Sequence, residues 1–351
     1  MDGTRHGPGA WRKRGRPNGA TAVVVFALLT SGAGPALDSE KGAAPSHGPT
    51  RVASDRAPGG SASVLPVPPG ATRELSRLQK RIAARVAVGG TAYTFTSHLD
   101  RTTGRIVLES DAPADVVLAV TGRRATASLP TPAVAPAVAP VQNRTVNQFH
   151  RRNDDSPFKG GAGIRAAGAT GPCTAGFALR NSAGNVYSTS SASCSTTGAR
   201  VSTESGVSSH GTVIFQQPAV DVAVIAGRPY GGRIYTGNPV STTTVPVVSA
   251  GDAVVGDSHH CYSGRTSGEV CGGQVVSVNG QLCGGQSCWG PLLVVRGGAL
   301  PQPGDQGAPF YTKDAAGAHA RGQVFASNGS LCFVTPWRRL SDALGLSIHT
   351  G

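Results

Sequence analysis

From Ile164 onward the chain is a succession of short β-type runs about ten residues apart, each closed by Gly, Asn-Gly or Pro. The clearest runs are Phe177 to Leu179, Gly211 to Phe215, Val220 to Ile225, Val245 to Val248, Gln274 to Val278 and Leu292 to Val295. Strands this evenly spaced, with no helical pattern between them, predict an all-β barrel or sandwich. The composition agrees: aromatics are only 5%, while Gly (49) and Pro (25) are plentiful, which favours short strands and tight turns over long helices. One helix is predicted at the end, from Trp337 through Leu344, stopping at Gly345.

The first 150 residues read differently. Arg12, Lys13, Arg14 and Arg16 precede an apolar stretch from Ala20 to Thr30, and Gly34-Pro35-Ala36 offers a small-residue cleavage site. Residues 1–36 therefore read as a secretory signal peptide, too short in its apolar part to span a bilayer. Residues 37–70, rich in Gly, Pro, Ala and Ser, read as a disordered linker. Leu75, Leu78, Ile82 and Val86 then recur at helical spacing among arginines, predicting an amphipathic helix over 72–88 stopped by Gly89-Gly90. A hairpin follows (Tyr93–Ser97, a turn from Asp100 to Gly104, Arg105–Glu109), then a short helix from Pro113 to Ala119 and a strand from Ala125 to Leu129. Residues 71–129 thus form a small α+β leader. Pro130, Pro132, Pro136 and Pro140 mark a second, extended linker over 130–150.

Charge and cysteines narrow the function class. The net charge of +13 is spread along the chain, and residues 146–351 carry fourteen Lys and Arg against ten Asp and Glu. No basic stripe alternates with aromatics, so nucleic acid is not the expected partner. All seven cysteines lie after residue 172. Local spacing pairs Cys173 with Cys194, Cys261 with Cys271 and Cys283 with Cys288, leaving Cys332 alone; such usage fits an oxidising, extracellular setting. No Cys-x-x-Cys pair is present beside His259 and His260, so neither metal nor cofactor is expected.

Several motifs carry a more specific message. Residues 304–309 read Gly304-Asp305-Gln306-Gly307-Ala308-Pro309, and earlier come Arg152 to Ala162, Cys173-Thr174-Ala175-Gly176-Phe177 and Cys261-Tyr262-Ser263-Gly264-Arg265-Thr266-Ser267-Gly268. In this order they resemble the actinobacterial, streptogrisin and α-lytic branch of the chymotrypsin-like serine peptidases, over residues 151–351. The resemblance implies two antiparallel Greek-key β-barrels with a cleft between them, and a propeptide in residues 71–129.

Carried over residue by residue, the resemblance places the catalytic aspartate at Asp221, the histidine position at Ser193 just before Cys194, and the serine position at Gln306. The backbone N–H groups of Gly304 and Gln306 stand at the oxyanion hole. A Ser–His–Asp site needs the hydroxyl to attack and the imidazole to take its proton. Both are replaced here. Losing such a unit costs on the order of a millionfold in rate. His150, His210, His259 and His260 have no spacing that brings them beside Asp221 and are expected to be solvated loop histidines. Asp221 is expected as a buried carboxylate needing the Ser193 hydroxyl or backbone N–H groups.

The expected protein is a secreted, monomeric, proteolytically inactive homologue. It holds a peptide or protein in the cleft, has its own leader as a partner, and has no membrane association once mature. The alternatives are an active hydrolase with a non-standard site and a structural secreted protein with no cleft function.

Overall fold

The structure, a computed structural model, describes residues 63–122, the backbone of 127–128, and residues 150–351. The expected signal peptide, most of the 37–70 linker and nearly all of the 130–150 linker lie outside the described residues.

Two rings of six strands are formed within residues 163–226 and 260–336. In chain order the first ring uses Gly163–Ala166, the stretch Cys173–Arg180, Val186–Ser190, Arg200–Thr203, Ser209–Gln217 and Val222–Ala226. Each strand pairs antiparallel with its neighbours in the order first, second, third, sixth, fifth, fourth, and the fourth returns to the first. The second ring uses His260–Gly264, Gly268–Gly285, Ser287–Arg296, Pro309–Lys313, Ala318–Ser327 and Cys332–Pro336. Its pairing follows the same order, again closed and antiparallel. One Greek-key pattern is thus repeated, and closure leaves neither ring a free edge at these pairings.

Each barrel is filled by alternate residues of its own strands. Ile164, Val201, Val213, Ala223 and Ile225 pack in the first. Tyr262, Val275, Leu293, Val295, Phe310, Val324 and Val334 pack in the second. Between the barrels, Tyr230–Tyr235 and Thr244–Ala250 form an antiparallel pair, and the latter lies parallel to Ala318–Ser327. The closing helix spans Trp337–Leu344 and stops at Gly345, whose φ of 62° suits a glycine. The three disulfides pair as expected, and Cys332 is buried and free. Among the described residues no helix is long and apolar enough to cross a membrane.

The leader comprises α1 (Ala71–Gly89), β1 (Thr91–Asp100), β2 (Arg105–Ser110) and α2 (Ala114–Thr121), with a short strand at Ala127–Ser128 parallel to β2. α1 buries Ala71, Leu75, Leu78, Ile82 and Val86 on one face, leaving its arginines outside. The four larger of these, Leu75, Leu78, Ile82 and Val86, contribute roughly 1.5–3 kcal/mol each on burial. The helix ends where Gly90, at φ 66°, turns its N–H onto the Val86 carbonyl at 2.7 Å. Residues 63–70 do not hang free: Leu65 and Arg101 exchange hydrogen bonds of 2.8 and 3.0 Å.

Sequence patterning left open how the leader meets the barrels. β1 adds itself to the long strand Gly268–Gly285, with Phe95 opposite Cys283, Thr96 opposite Leu282 and Ser97 opposite Gln281. Cys283 packs in the same cluster as Leu78, Ile82, Val86, Phe95, Leu108 and Val117. The leader's core is therefore completed by the second barrel.

Candidate functional site in the inter-barrel cleft

The first barrel supplies two of the three positions of interest. Strand Val186–Ser190 runs into a tight 3-10 turn, Ala192–Cys194, capped by the Ser191 hydroxyl, which accepts the Ser193 N–H at 3.2 Å. The Cys173–Cys194 disulfide ties this turn to the second strand of the same barrel. Asp221 follows the 3-10 turn Pro218–Val220 at φ 49°, the single non-glycine residue with positive φ among the described residues. Asp tolerates that region better than most side chains.

These two loops meet. The Ser191 hydroxyl donates to Asp221 Oδ2 at 2.6 Å, and the Ser193 N–H donates to Asp221 Oδ1 at 3.1 Å. The Ser193 hydroxyl lies 2.6 Å from Ser191 Oγ and is not itself bonded to the carboxyl. Sequence reading considered Ser193 as the hydroxyl partner; the structure gives that role to Ser191. In the run Ser190-Ser191-Ala192-Ser193 nothing in residue type distinguishes the hydroxyls, and only the turn geometry decides. Gln323 pins the pair from behind, its Nε2 donating to the Ser190 and Asp221 carbonyls at 3.1 and 3.3 Å.

Asp221 is buried, and among the described residues no cation pairs with it. Burial pushes its carboxyl up to about 7, against the opposing pull of the Ser191 hydroxyl and the Ser193 and Ala192 N–H groups. The Asp221 carboxyl thus holds its proton to neutral pH.

The second barrel supplies Gln306. Its loop is fastened by Asp305, which is fully buried and accepts from the N–H groups of Thr266 (2.8 Å), Ser267 (3.2 Å) and Gln302 (2.8 Å) and from the Ser267 hydroxyl (2.5 Å). Gly307, at φ 87°, is pressed against the first barrel. A Cβ there would lie 2.6 Å from the Thr174 carbonyl oxygen, 2.7 Å from the Ser191 nitrogen and 2.9 Å from Ser190 Oγ. The Gln306 carbonyl also accepts from the Thr174 N–H at 3.1 Å. The serine-position loop therefore abuts the Ser190–Ser193 segment. No hydrogen bond joins the Gln306 side chain to Ser193 or Asp221.

The Gln306 amide points elsewhere. Its Oε1 accepts the Gly304 N–H at 2.9 Å. Of the two N–H groups expected at the oxyanion hole, Gly304's is bonded to a carbonyl of the protein itself. A shallow hollow lies beside it, lined by Pro301, Gln302, Pro303, Gln306, Val324, Ala326 and Ser327.

Among the described residues no histidine bonds Ser193 or Asp221. His210 and His260, expected in solvated loops, are instead buried within strands Ser209–Gln217 and His260–Gly264. His210 packs against Phe158 and Tyr230, bonds Ser188 Oγ at 3.1 Å, and is held by burial at about 3. His260 stacks on Phe310 with ring centres 5.0 Å apart. His150 is half-buried and accepts the Arg152 N–H, while His259 is exposed. Burial also raises the Cys332 thiol far above its ordinary range. Among the described residues one group could offer three metal ligands, Cys261, Glu269 and Cys271, and its two cysteines are joined in a disulfide.

A constellation that sequence reading missed sits outside the cleft. Ser249 Oγ lies 2.8 Å from His319 Nδ1, and His319 Nε2 lies 3.0 Å from Asp314 Oδ2. Asp314 Oδ1 also caps the hairpin turn through the Ala316 and Gly317 N–H groups. Ser249 and His319 lie 70 residues apart on neighbouring strands, so no local motif announced them.

No family model and no curated protein matches the chain. Among solved structures, Thermobifida fusca protease A is 25% identical, with a TM-score of 0.45, over 55% of this chain and 99% of its own. Nocardiopsis protease is 23% identical, TM-score 0.46, over 55% and 99%. Cellulomonas bogoriensis chymotrypsin is 26% identical, TM-score 0.43, over 55% and 98%. The fold itself is read from the repeated six-strand pairing. It is the chymotrypsin-like double barrel. Ser193 and Asp221 come from the first barrel of that fold and Gln306 from the second, so the three positions meet where the barrels face each other.

Proposed function

We propose that this chain is an exported, chymotrypsin-fold protein that binds a peptide or protein segment in its inter-barrel cleft without cleaving it. The observation that carries this reading is the 2.9 Å hydrogen bond from the Gly304 N–H to Gln306 Oε1. Acyl transfer needs a nucleophile, a base within reach and free donors for the developing oxyanion. Here the amide that replaces the nucleophile occupies one of those donors. The proton acceptor is replaced by the Ser193 hydroxyl, whose bonded neighbour is another hydroxyl, that of Ser191. A bound chain meets a cleft in which the Gly304 N–H and the Ser191 and Ser193 hydroxyls are bonded internally, so the cleft offers shape and hydrogen bonding without bond-breaking.

Two experiments test this. Purified protein is challenged with a fluorophosphonate probe and with a chromogenic ester, and then screened against a peptide library with and without Gln306→Ala. No labelling together with saturable peptide binding that Gln306→Ala alters supports the proposal. Labelling at Ser193 ends it. No binding of any peptide favours a structural role.

The Ser249–His319–Asp314 chain supports a second reading, a weak surface hydrolase. It meets the nucleophile–base–orienter pattern, although the Asp314 contacts are also those of a turn cap. The same fluorophosphonate experiment separates it, because a tryptic map would place the label on Ser249.

A further inference from the structure

β1 shows two faces to its surroundings. Phe95 and Leu99 point toward α1, in clusters with Leu78, Ile82 and Val86 and with Ala71 and Leu75. The alternate residues, Thr96, His98 and Asp100, share the opposite face, as the two-residue period of a strand requires. That face meets the second barrel. Asn328 Nδ2 donates to Glu109 Oε2 at 2.8 Å and reaches Thr96 Oγ1 at 3.5 Å, while Thr96 itself donates to Glu109 at 3.2 Å. Two residues beyond His98, Asp100 Oδ2 accepts from Arg296 Nη2 at 2.8 Å.

His98 lies between these two cross-domain anchors. It is fully buried, and no protein group bonds either of its ring nitrogens. Thr96 and Asp100, its neighbours on that face, both have partners. A buried, unpartnered imidazole is costly when neutral and far costlier when charged, so such a residue calls for an explanation. We propose that His98 makes docking of the leader on the second barrel acid-labile, so that protonation of its ring releases β1 and uncovers the strand edge at residues 281–285.

The charged groups facing His98 fix the pH window. They are Asp100 on its own strand, Glu109 and Arg105 on β2, and Arg296 on the barrel strand Ser287–Arg296. Burial drives the His98 ring down to about 4; the Asp100 charge opposes this and Arg296 adds to it. At Asp100 burial works upward, but hydrogen bonds from Thr102 and Arg296 outweigh it and hold the carboxyl at about 2. Asp100 therefore stays charged throughout the range in which His98 responds.

The sign follows from linkage. The docked state favours neutral His98, so docking is strongest above the free histidine value of 6.5 and weakens as pH falls toward about 4. A single such histidine weakens docking about 30-fold between pH 7.5 and pH 5. This requires no particular function for the cleft.

The test uses the full chain with a specific protease site inserted in the 130–149 segment, nicked and purified as a complex. Size exclusion and surface plasmon resonance then follow leader dissociation from pH 7.5 to pH 5. The dissociation constant is expected to rise about 30-fold in the native sequence, and to stay flat in both His98→Phe and His98→Gln. In the intact, un-nicked chain, amide exchange at residues 281–285, corrected for intrinsic rate, is expected to accelerate over the same range. A leader equally tight at both pH values overturns the proposal, as does an unchanged pH slope in the variants. If neither variant folds, the exchange measurement on the native chain decides alone.

Discussion

Replacing Asp221 by Asn isolates the energetic consequence of a carboxyl buried with no cation beside it. Asp221 is buried, bonded to the Ser191 hydroxyl and the Ser193 N–H, and holds its proton up to about pH 7 against an ordinary value of 3.8. A shift of about three units corresponds to about 4 kcal/mol. The folded protein binds this proton more tightly than the unfolded chain. The associated stability is therefore complete below about pH 4 and is lost progressively as pH rises to about 7. Asn cannot titrate, tolerates the φ of 49°, and can accept the Ser193 N–H while donating to Ser191. At pH 4 it should cost no more than about 1 kcal/mol. At pH 8 it should stabilise by a few kcal/mol, on the order of the whole shift. The assay is guanidinium unfolding followed by circular dichroism at half-unit steps from pH 4 to 8. The difference between variant and native curves is the quantity to read, because His98 contributes an opposite slope in the same window. Parallel curves would refute the reasoning, since they would mean that Asp221 is ionised and well solvated in the folded protein.

Three further outcomes are expected. Ser193→His with Gln306→Ser should restore measurable esterase activity while neither single change does, because the first supplies the base and the second supplies a nucleophile and frees the Gly304 N–H; a dead double variant whose fold is intact by circular dichroism would mean the cleft has diverged beyond the triad. Gly307→Ala should destabilise by about 3 kcal/mol or more, read as a lowered Tm, because its Cβ meets the Thr174 carbonyl and the Ser191 backbone at a φ of 87°. Cys332 should resist iodoacetamide in the native protein and react fully after unfolding, since burial keeps its thiol protonated.

The cleft shows where residue patterns stop being informative. That Ser193 and Gln306 stand where the resemblance expects histidine and serine was legible from the motifs. The bonds made around them were not. Ser191 takes Asp221 through a turn that lets one of several equivalent hydroxyls reach it. Gln306 folds back on Gly304, a contact between residues two apart that depends on the loop's two left-handed glycines. His210 and His260 were expected in solvated loops because no spacing brings them beside Asp221. They are buried because residues distant in sequence cover them, Phe158 and Tyr230 over His210 and Phe310 over His260.

By itself the sequence determined the local elements: the 3.6-residue period of α1, the leader hairpin, the barrel strands marked off by Gly and Pro, the closing helix and three short-range disulfides. Each is set by interactions among residues close along the chain, where spacing is itself geometry. The tertiary structure decided the rest: one Greek key used twice, β1 lying on the strand Gly268–Gly285, His98 held between Glu109–Asn328 and Asp100–Arg296, and Ser249 brought to His319. These contacts join residues tens to hundreds of positions apart. Their free energy comes from desolvation and pairing that arise only when distant surfaces close on one another.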